Sequence, residues 1–217
     1  MPDARSSRLA TANSPREAMS TESEGRNGAL RAPFFARPAH TVAPELLGAL
    51  LVSEAGGLRT SGRIVEVEAY EGPHDPASHA AASIGRTRRN EGLFGPPGTA
   101  YVHLNYGVHW CFNAVTDVEG SPHGVLIRAL EPVSGEAHMR LRRGREELTN
   151  GPGRLAQALG IGPDLQGHRL DEPPVWIERG PPVPAASLVT TTRIGITKGV
   201  ELRLRFYDSR SRWVSRR

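Results

Sequence analysis

The tightest constraint on how this chain can fold is the shortness of the turns between its extended, apolar runs. Ala49 to Glu54 and Leu58 to Tyr70 flank a Gly56-Gly57 turn, and Ala100 to Leu104 and Val108 to Val115 flank Asn105-Tyr106-Gly107. Parallel neighbours need a crossover of a dozen or more residues, so turns this short force antiparallel hairpins. Gly124 to Leu130 reads as a further strand, and Val175 to Glu178, Thr191 to Thr197 and Leu202 to Tyr207 make the C-terminal part strand-rich. Helices fall between these runs. Thr41 caps a short one with Pro44 in its first turn. Ser134 caps one running to about Arg143, and Asn150 caps one with Leu155, Ala156 and Leu159 on its apolar face and Gly160 as its stop. The expected fold is α+β: a single domain with a mostly antiparallel curved sheet, flanking helices and a protruding β-hairpin. Gly72 to Gly98, rich in Gly, Pro, His and Arg, is too long for a mere connection and reads as a functional or partly helical loop.

Residues 1–32 carry no apolar periodicity and are expected to be a disordered tail, with the folded domain occupying 33–217 and starting near Phe34. No apolar run approaches the roughly 18 residues of a membrane helix, and the N-terminus lacks the apolar stretch of a secretory signal. Cys111 is the single cysteine, so no internal disulfide can form. A soluble monomer working inside the cell, without cofactor or metal, is the expectation. Lys198 is the only lysine among 27 lysine and arginine residues, and the net charge is +4. The positive balance fits a polyanionic partner, although base composition also explains the arginine excess.

Alternation along the Leu58 to Tyr70 strand puts Ile64, Glu66, Glu68 and Tyr70 on one face. Glutamates two residues apart stand roughly 7 Å from each other, close enough to raise one pKa for acid–base work. The bare spacing is met at least as often by an exposed strand face with two ordinary glutamates. Tyr101 and His103 alternate onto one face of the next strand, with Asn113 on the returning one and His74 and His79 in the preceding loop. Flat rings suit a flat ligand such as a nucleobase, and attract a cationic, alkylated one by cation–π interaction. A metal set of His74, Asp75, His79 and His103 is the competing reading, without a compact ligand motif behind it. Tyr106, at the hairpin turn, is placed like the wedges that proteins insert into a duplex when a base must be extruded. Arg86, Arg88, Arg89, Arg128 and, at a helix start, Arg154 are available for phosphates.

Together these segments carry a family resemblance. Arg63-Ile-Val-Glu-Val-Glu-Ala-Tyr70, then His79, Arg89-Asn90, Pro97-Gly-Thr-Ala-Tyr-Val102, Tyr106-Gly107 and Cys111-Phe-Asn113 resemble the alkyladenine (3-methyladenine) DNA glycosylases. So do Val125-Leu-Ile-Arg-Ala-Leu-Glu-Pro132, Gly151-Pro152, Arg205-Phe-Tyr207 and Trp213-Val-Ser215. The match runs in order from Phe34 to Ser215.

The resemblance implies an enzyme that flips an alkylated or deaminated purine (3-methyladenine, hypoxanthine or ethenoadenine) out of duplex DNA and hydrolyses its N-glycosidic bond, with water as nucleophile. By it, Glu68 is the base that activates water, and Tyr70, His79 and His103 line the base pocket. Asn113 screens against the exocyclic amine of guanine, Tyr106 intercalates, and Arg128 contacts DNA beside the pocket. Arg89 and Arg154 are the further DNA-binding candidates. His103 stands where the family's best-known members have tyrosine. Strand cleavage needs an amine; Lys198 lies in a turn far along the chain, so no lyase activity is expected. The resemblance assigns no role to Glu66.

Overall fold

The computed structural model describes residues 28–216. The tail expected over 1–32 lies outside them as far as residue 27. Beyond that point the chain is already built into the fold. Ala29 bridges to Glu178, Leu30 N–H donates to the Ile177 carbonyl at 2.8 Å, and both side chains are buried. Ordered structure therefore begins ahead of Phe34, because an edge strand supplies backbone partners that sequence periodicity does not reveal.

Eight strands form one antiparallel sheet: β1 (Leu50–Ser53), β2 (Thr60–Glu71), β3 (Ala100–Asn105), β4 (His109–Thr116), β5 (His123–Ser134), β6 (Val175–Glu178), β7 (Leu188–Thr191) and β8 (Arg205–Asp208). The order is β3-β4-β5-β2-β1-β6, with β8 also on β2 and β7 on β8. Strand β2 is the hub. One edge pairs with β5 along most of its length; the other takes β1 at residues 60–63 and β8 at 66–68. Among the described residues four helices flank the sheet: α1 (Ala32–Phe35), α2 (Ala39–Leu46), α3 (Glu136–Arg143) and α4 (Pro152–Leu159).

The sheet has a helix-covered face and an open one. Val67 and Ala69 of β2, Ala100 and Val102 of β3, Phe112 and Ala114 of β4, and Val125 and Ile127 of β5 pack into one apolar core with Phe35, Leu46, Met139, Leu155 and Leu159 from the helices. Strand alternation sends Glu68, Tyr70, Tyr101, His103, Cys111, Asn113, Leu126 and Arg128 to the opposite face.

Several local expectations shift. The 188–191 strand replaces the one expected over Thr191 to Thr197, whose later part is loop, and β8 starts at Arg205 rather than Leu202. Helix α2 begins at Ala39 after Pro38, which leaves Pro44 inside it. Ser134 ends β5 and Gly135 takes the cap position, with a φ of 77° that favours glycine. Gly151, not Asn150, precedes α4, and Pro152 fills the first helical position, where its missing N–H costs nothing. Gly160 stops α4 at φ 69°, as expected. The long loop before β3 is tied together by buried Asn90. Its Nδ2 donates to the carbonyls of His79 (2.9 Å) and Gly85 (2.8 Å), and its Oδ1 accepts from Thr87 N–H (2.7 Å). Among the described residues no helix is long and apolar enough to cross a membrane.

Candidate active site

Two bulges set the geometry of the acidic strand. Between the pairs Ile64↔Leu130 and Glu66↔Ala129, β2 advances two residues for one; between Glu66↔Ala129 and Val67↔Ile127, β5 advances two for one. The extra residues are Val65 and Arg128. The first bulge breaks the expected alternation: Ile64 joins the core with Val67 and Ala69 instead of sharing a face with Glu66. The second re-aims Arg128 toward the two glutamates.

Glu66 and Glu68 are both fully buried, which excludes the exposed-face reading. Glu68 accepts three hydrogen bonds: from the Tyr70 hydroxyl (2.9 Å) and Arg128 Nη1 (3.2 Å) on Oε2, and from Ile194 N–H (2.7 Å) on Oε1. An ionised carboxylate has about four acceptor positions, so one remains on Oε1. Burial pushes the Glu68 pKa above the ordinary value; Arg128, the Ile194 amide and the Tyr70 hydroxyl pull it back, and Glu66 adds the smallest push upward. The mutual repulsion expected of the pair is thus real, yet desolvation dominates it. Burial and the neighbouring Glu68 raise the Tyr70 pKa well above its usual value, so Tyr70 stays a hydroxyl donor.

Glu66 belongs to a different set of contacts. Its Oε1 accepts from Arg205 Nε (2.7 Å), Arg128 Nε (3.1 Å) and Ser215 Oγ (2.9 Å), and its Oε2 from Ser215 N–H (2.6 Å).

Above these residues opens a cavity of about 1040 Å³ lined by Tyr70, His79, Tyr101, His103, Asn113 and Arg128, among others. Glu68 itself lies just behind this lining, reached past Tyr70, Arg128 and Ile194, which all face the cavity. One wall is a ring cluster. Tyr101 and His103 stack at 5.2 Å between centroids with 27° between planes, and His79 stands edge-on to His103 at 4.3 Å. His79 Nδ1 and the Tyr101 hydroxyl are 3.0 Å apart. Asn113 Nδ2 donates to the Tyr101 carbonyl at 3.0 Å and lies 3.2 Å from His103 Nδ1, which makes that nitrogen the acceptor and puts the proton of a neutral ring on Nε2. Burial, His79 and Arg89 push the His103 pKa down to about 3, and burial and Arg89 also lower that of His79. The His103 imidazole is therefore a neutral ring at physiological pH.

Tyr106 projects from the tip of the β3–β4 hairpin with 78% of its surface exposed. It and Gly107 both have positive φ, 50° and 72°. A left-handed conformation costs a non-glycine residue about 1–2 kcal/mol, so the fold holds this ring outward against a local penalty. Arg89 Nη2 donates to the Leu104 carbonyl at 3.1 Å, tying the long loop to this hairpin. Arg154 lines the cavity and bonds Asn150 Oδ1 at 3.0 Å, while Arg86 is paired with Glu91 on the surface and Arg88 is exposed.

The metal set does not assemble. Asp75 is held by Arg193, with Nη2 to Oδ1 at 2.7 Å and Nη1 to Oδ2, and among the described residues no three His, Cys, Asp or Glu side chains gather into a ligand cluster. Arg193 was not visible as a site residue, because its partner lies 118 residues away. Its guanidinium stacks on the Tyr70 ring at 4.6 Å, and the next residue supplies the Ile194 amide to Glu68. Lys198, distant in sequence, also reaches the cavity lining.

Comparison with known proteins places this architecture. A family model described as methylpurine-DNA glycosylase matches residues 33–212. A Rhodopseudomonas palustris protein named "Putative 3-methyladenine DNA glycosylase" is 51% identical over 189 residues, covering 86% of this chain and 90% of its own length. Proteins of the same name from Methanoculleus marisnigri and Salinibacter ruber are 49% and 46% identical, covering 87% and 86% of this chain and 99% and 96% of their own lengths.

Proposed function

We propose, for a chain that belongs to the methylpurine-DNA glycosylase family, that Glu68 is the general base for hydrolysis of the N-glycosidic bond of a damaged purine turned into the ring-walled cavity. The observation that carries this reading is the coincidence of three features: a buried carboxylate with one acceptor position left, a cavity walled by flat neutral rings and by the residues that bond that carboxylate, and an aromatic side chain held outward at the hairpin tip.

In this mechanism Tyr106 enters the duplex and fills the place of the extruded nucleotide, the damaged base lies against Tyr70, His79 and His103, and Arg89 and Arg154 face the DNA backbone; Arg128, expected to contact DNA, is instead buried against Glu66 and Glu68. As the base departs, positive charge builds on the sugar; the Glu68 carboxylate stabilises it and takes the proton of the attacking water, the logic carboxylates follow in glycoside hydrolysis. Alkylated purines such as 3-methyladenine are cationic and leave readily. Neutral rings in the wall attract a cation through their faces without repelling it, which a protonated imidazole would do. The pocket also takes the neutral purines hypoxanthine and ethenoadenine, with Asn113 screening against guanine, and the protein acts as a monomer, leaving the strand uncut.

The test is release of free base from duplexes carrying 3-methyladenine, hypoxanthine or ethenoadenine by the parent and by Glu68→Gln. Loss of a general base costs about 10²–10⁴-fold in rate, with duplex binding retained. Parent-like release by Glu68→Gln would sink the assignment.

A further inference from the structure

We propose that Glu66 is a positioning residue for the reaction: it holds the Arg128 guanidinium so that Nη1 meets Glu68, and the C-terminal segment locks it in place through Ser215. This rests on the reading of Glu68 as the base.

The argument is geometric. Glu66 is fully buried and its carboxylate is held by four donors from three elements, Arg128 of β5, Arg205 of β8 and Ser215 near the C-terminus. Three of the four converge on Oε1, two of them guanidinium nitrogens, which suits an anchor for Arg128. A guanidinium is a rigid plane, and once Nε is fixed the direction of Nη1 is fixed too. Arg128 presents Nε to Glu66 at 3.1 Å and Nη1 to Glu68 at 3.2 Å. It does so from a bulge, where the regular ladder is interrupted. Glu66 is therefore the near-side clamp on the cation that, among the described residues, bonds Glu68. A buried ion pair adds little net stability over an apolar pair of the same size, so tail anchorage by itself is a weak reason for three charged groups at this spot.

Single-turnover release of 3-methyladenine from alkylated duplex DNA, followed across pH beside duplex affinity and thermal unfolding, tests this with Glu66→Asp. That variant keeps the negative charge and shortens its reach by one methylene. The groups that face Glu68 are Tyr70 and Glu66 on its own strand, Arg128 from β5, Cys111 from β4 and Arg193 beside Ile194. All keep their charge in the variant, so a displaced limb reports altered placement and not a lost charge.

The rate is expected to fall about 10- to 100-fold, the usual effect of a misplaced catalytic contact, with duplex affinity held. The acid limb of the profile is expected to move to higher pH, because Glu68 loses part of the cation that favours its charged form. An unchanged rate and limb overturns the proposal. So does a rate that falls only with affinity and stability while the limb stays put, since that is tail anchorage alone. If Glu66→Asp does not fold, Ser215→Pro removes the tail's N–H and hydroxyl donors without altering any charge; a limb displaced upward supports the proposal and an unmoved limb refutes it. Glu68→Gln is run alongside. Its retention of activity defeats the base assignment and this inference with it, whereas an inactive Glu68→Gln beside a parent-like Glu66→Asp defeats this inference alone.

Discussion

His103 ties the stability of the domain to pH, and replacing it by phenylalanine isolates the effect. In the folded protein its pKa is pushed down to about 3 from the ordinary 6.5. Histidine in the unfolded chain binds a proton near 6.5, so between these values the unfolded state holds the extra proton. Stability from this residue is therefore complete above pH 6.5 and is lost as pH falls toward 3. At pH 5 the gap is 1.5 pH units below the unfolded pKa, which corresponds to about 2 kcal/mol lost relative to pH 8. Urea unfolding of the parent and of His103→Phe at pH 8 and pH 5 measures it. With a slope of about 2 kcal/mol per molar, the parent midpoint should drop by roughly 1 M more than the variant's between the two pH values. The lost bond from Asn113 lowers the variant equally at both and cancels. The same pH-dependent drop in parent and variant would refute the claim that this wall is held neutral by its surroundings.

Two further outcomes follow from the cavity and the hairpin. Tyr106→Ala should leave thermal stability unchanged or slightly raised, since the ring is exposed and a smaller residue bears the left-handed turn no worse, yet it should slow base release from duplex far more than from single-stranded substrate; equal slowing on both removes the wedge role. Lys198, although it reaches the cavity lining, is expected to form no Schiff base, so borohydride should trap no covalent complex on lesion-bearing duplex, and a trapped complex lost in Lys198→Ala would reassign it as a nucleophile.

Much of the site was legible in the sequence because it lies on regular strands. Tyr101 and His103 share a face with Asn113 across the β3–β4 hairpin by alternation alone, and a three-residue turn was enough to place Tyr106 at an exposed tip. What stayed hidden depends on register and on distant pairing. No pattern in Arg63 to Tyr70 marks Val65 as a bulge, so Ile64 was assigned to the wrong face; the insertion is stabilised by the β5 partner, not by local propensity. The supports of Glu68 come from Ile194 and, through Asp75, from Arg193, residues brought together by loops with no periodicity to read.

The two glutamates show how the fold resolves an ambiguity that spacing cannot. They are two residues apart on one strand, equally buried, and both touch Arg128. What separates them is what else arrives at each carboxylate. Glu66 receives a second guanidinium, from Arg205, and both donors of Ser215; Glu68 receives neutral donors besides Arg128 and lies behind the cavity wall. Burial raises its pKa while one shared cation restrains the rise, and that balance suits a group that must be ionised yet basic. Anchoring one carboxylate between two guanidinium groups thus fixes the cation that tunes the other, so the two glutamates are parts of a single arrangement.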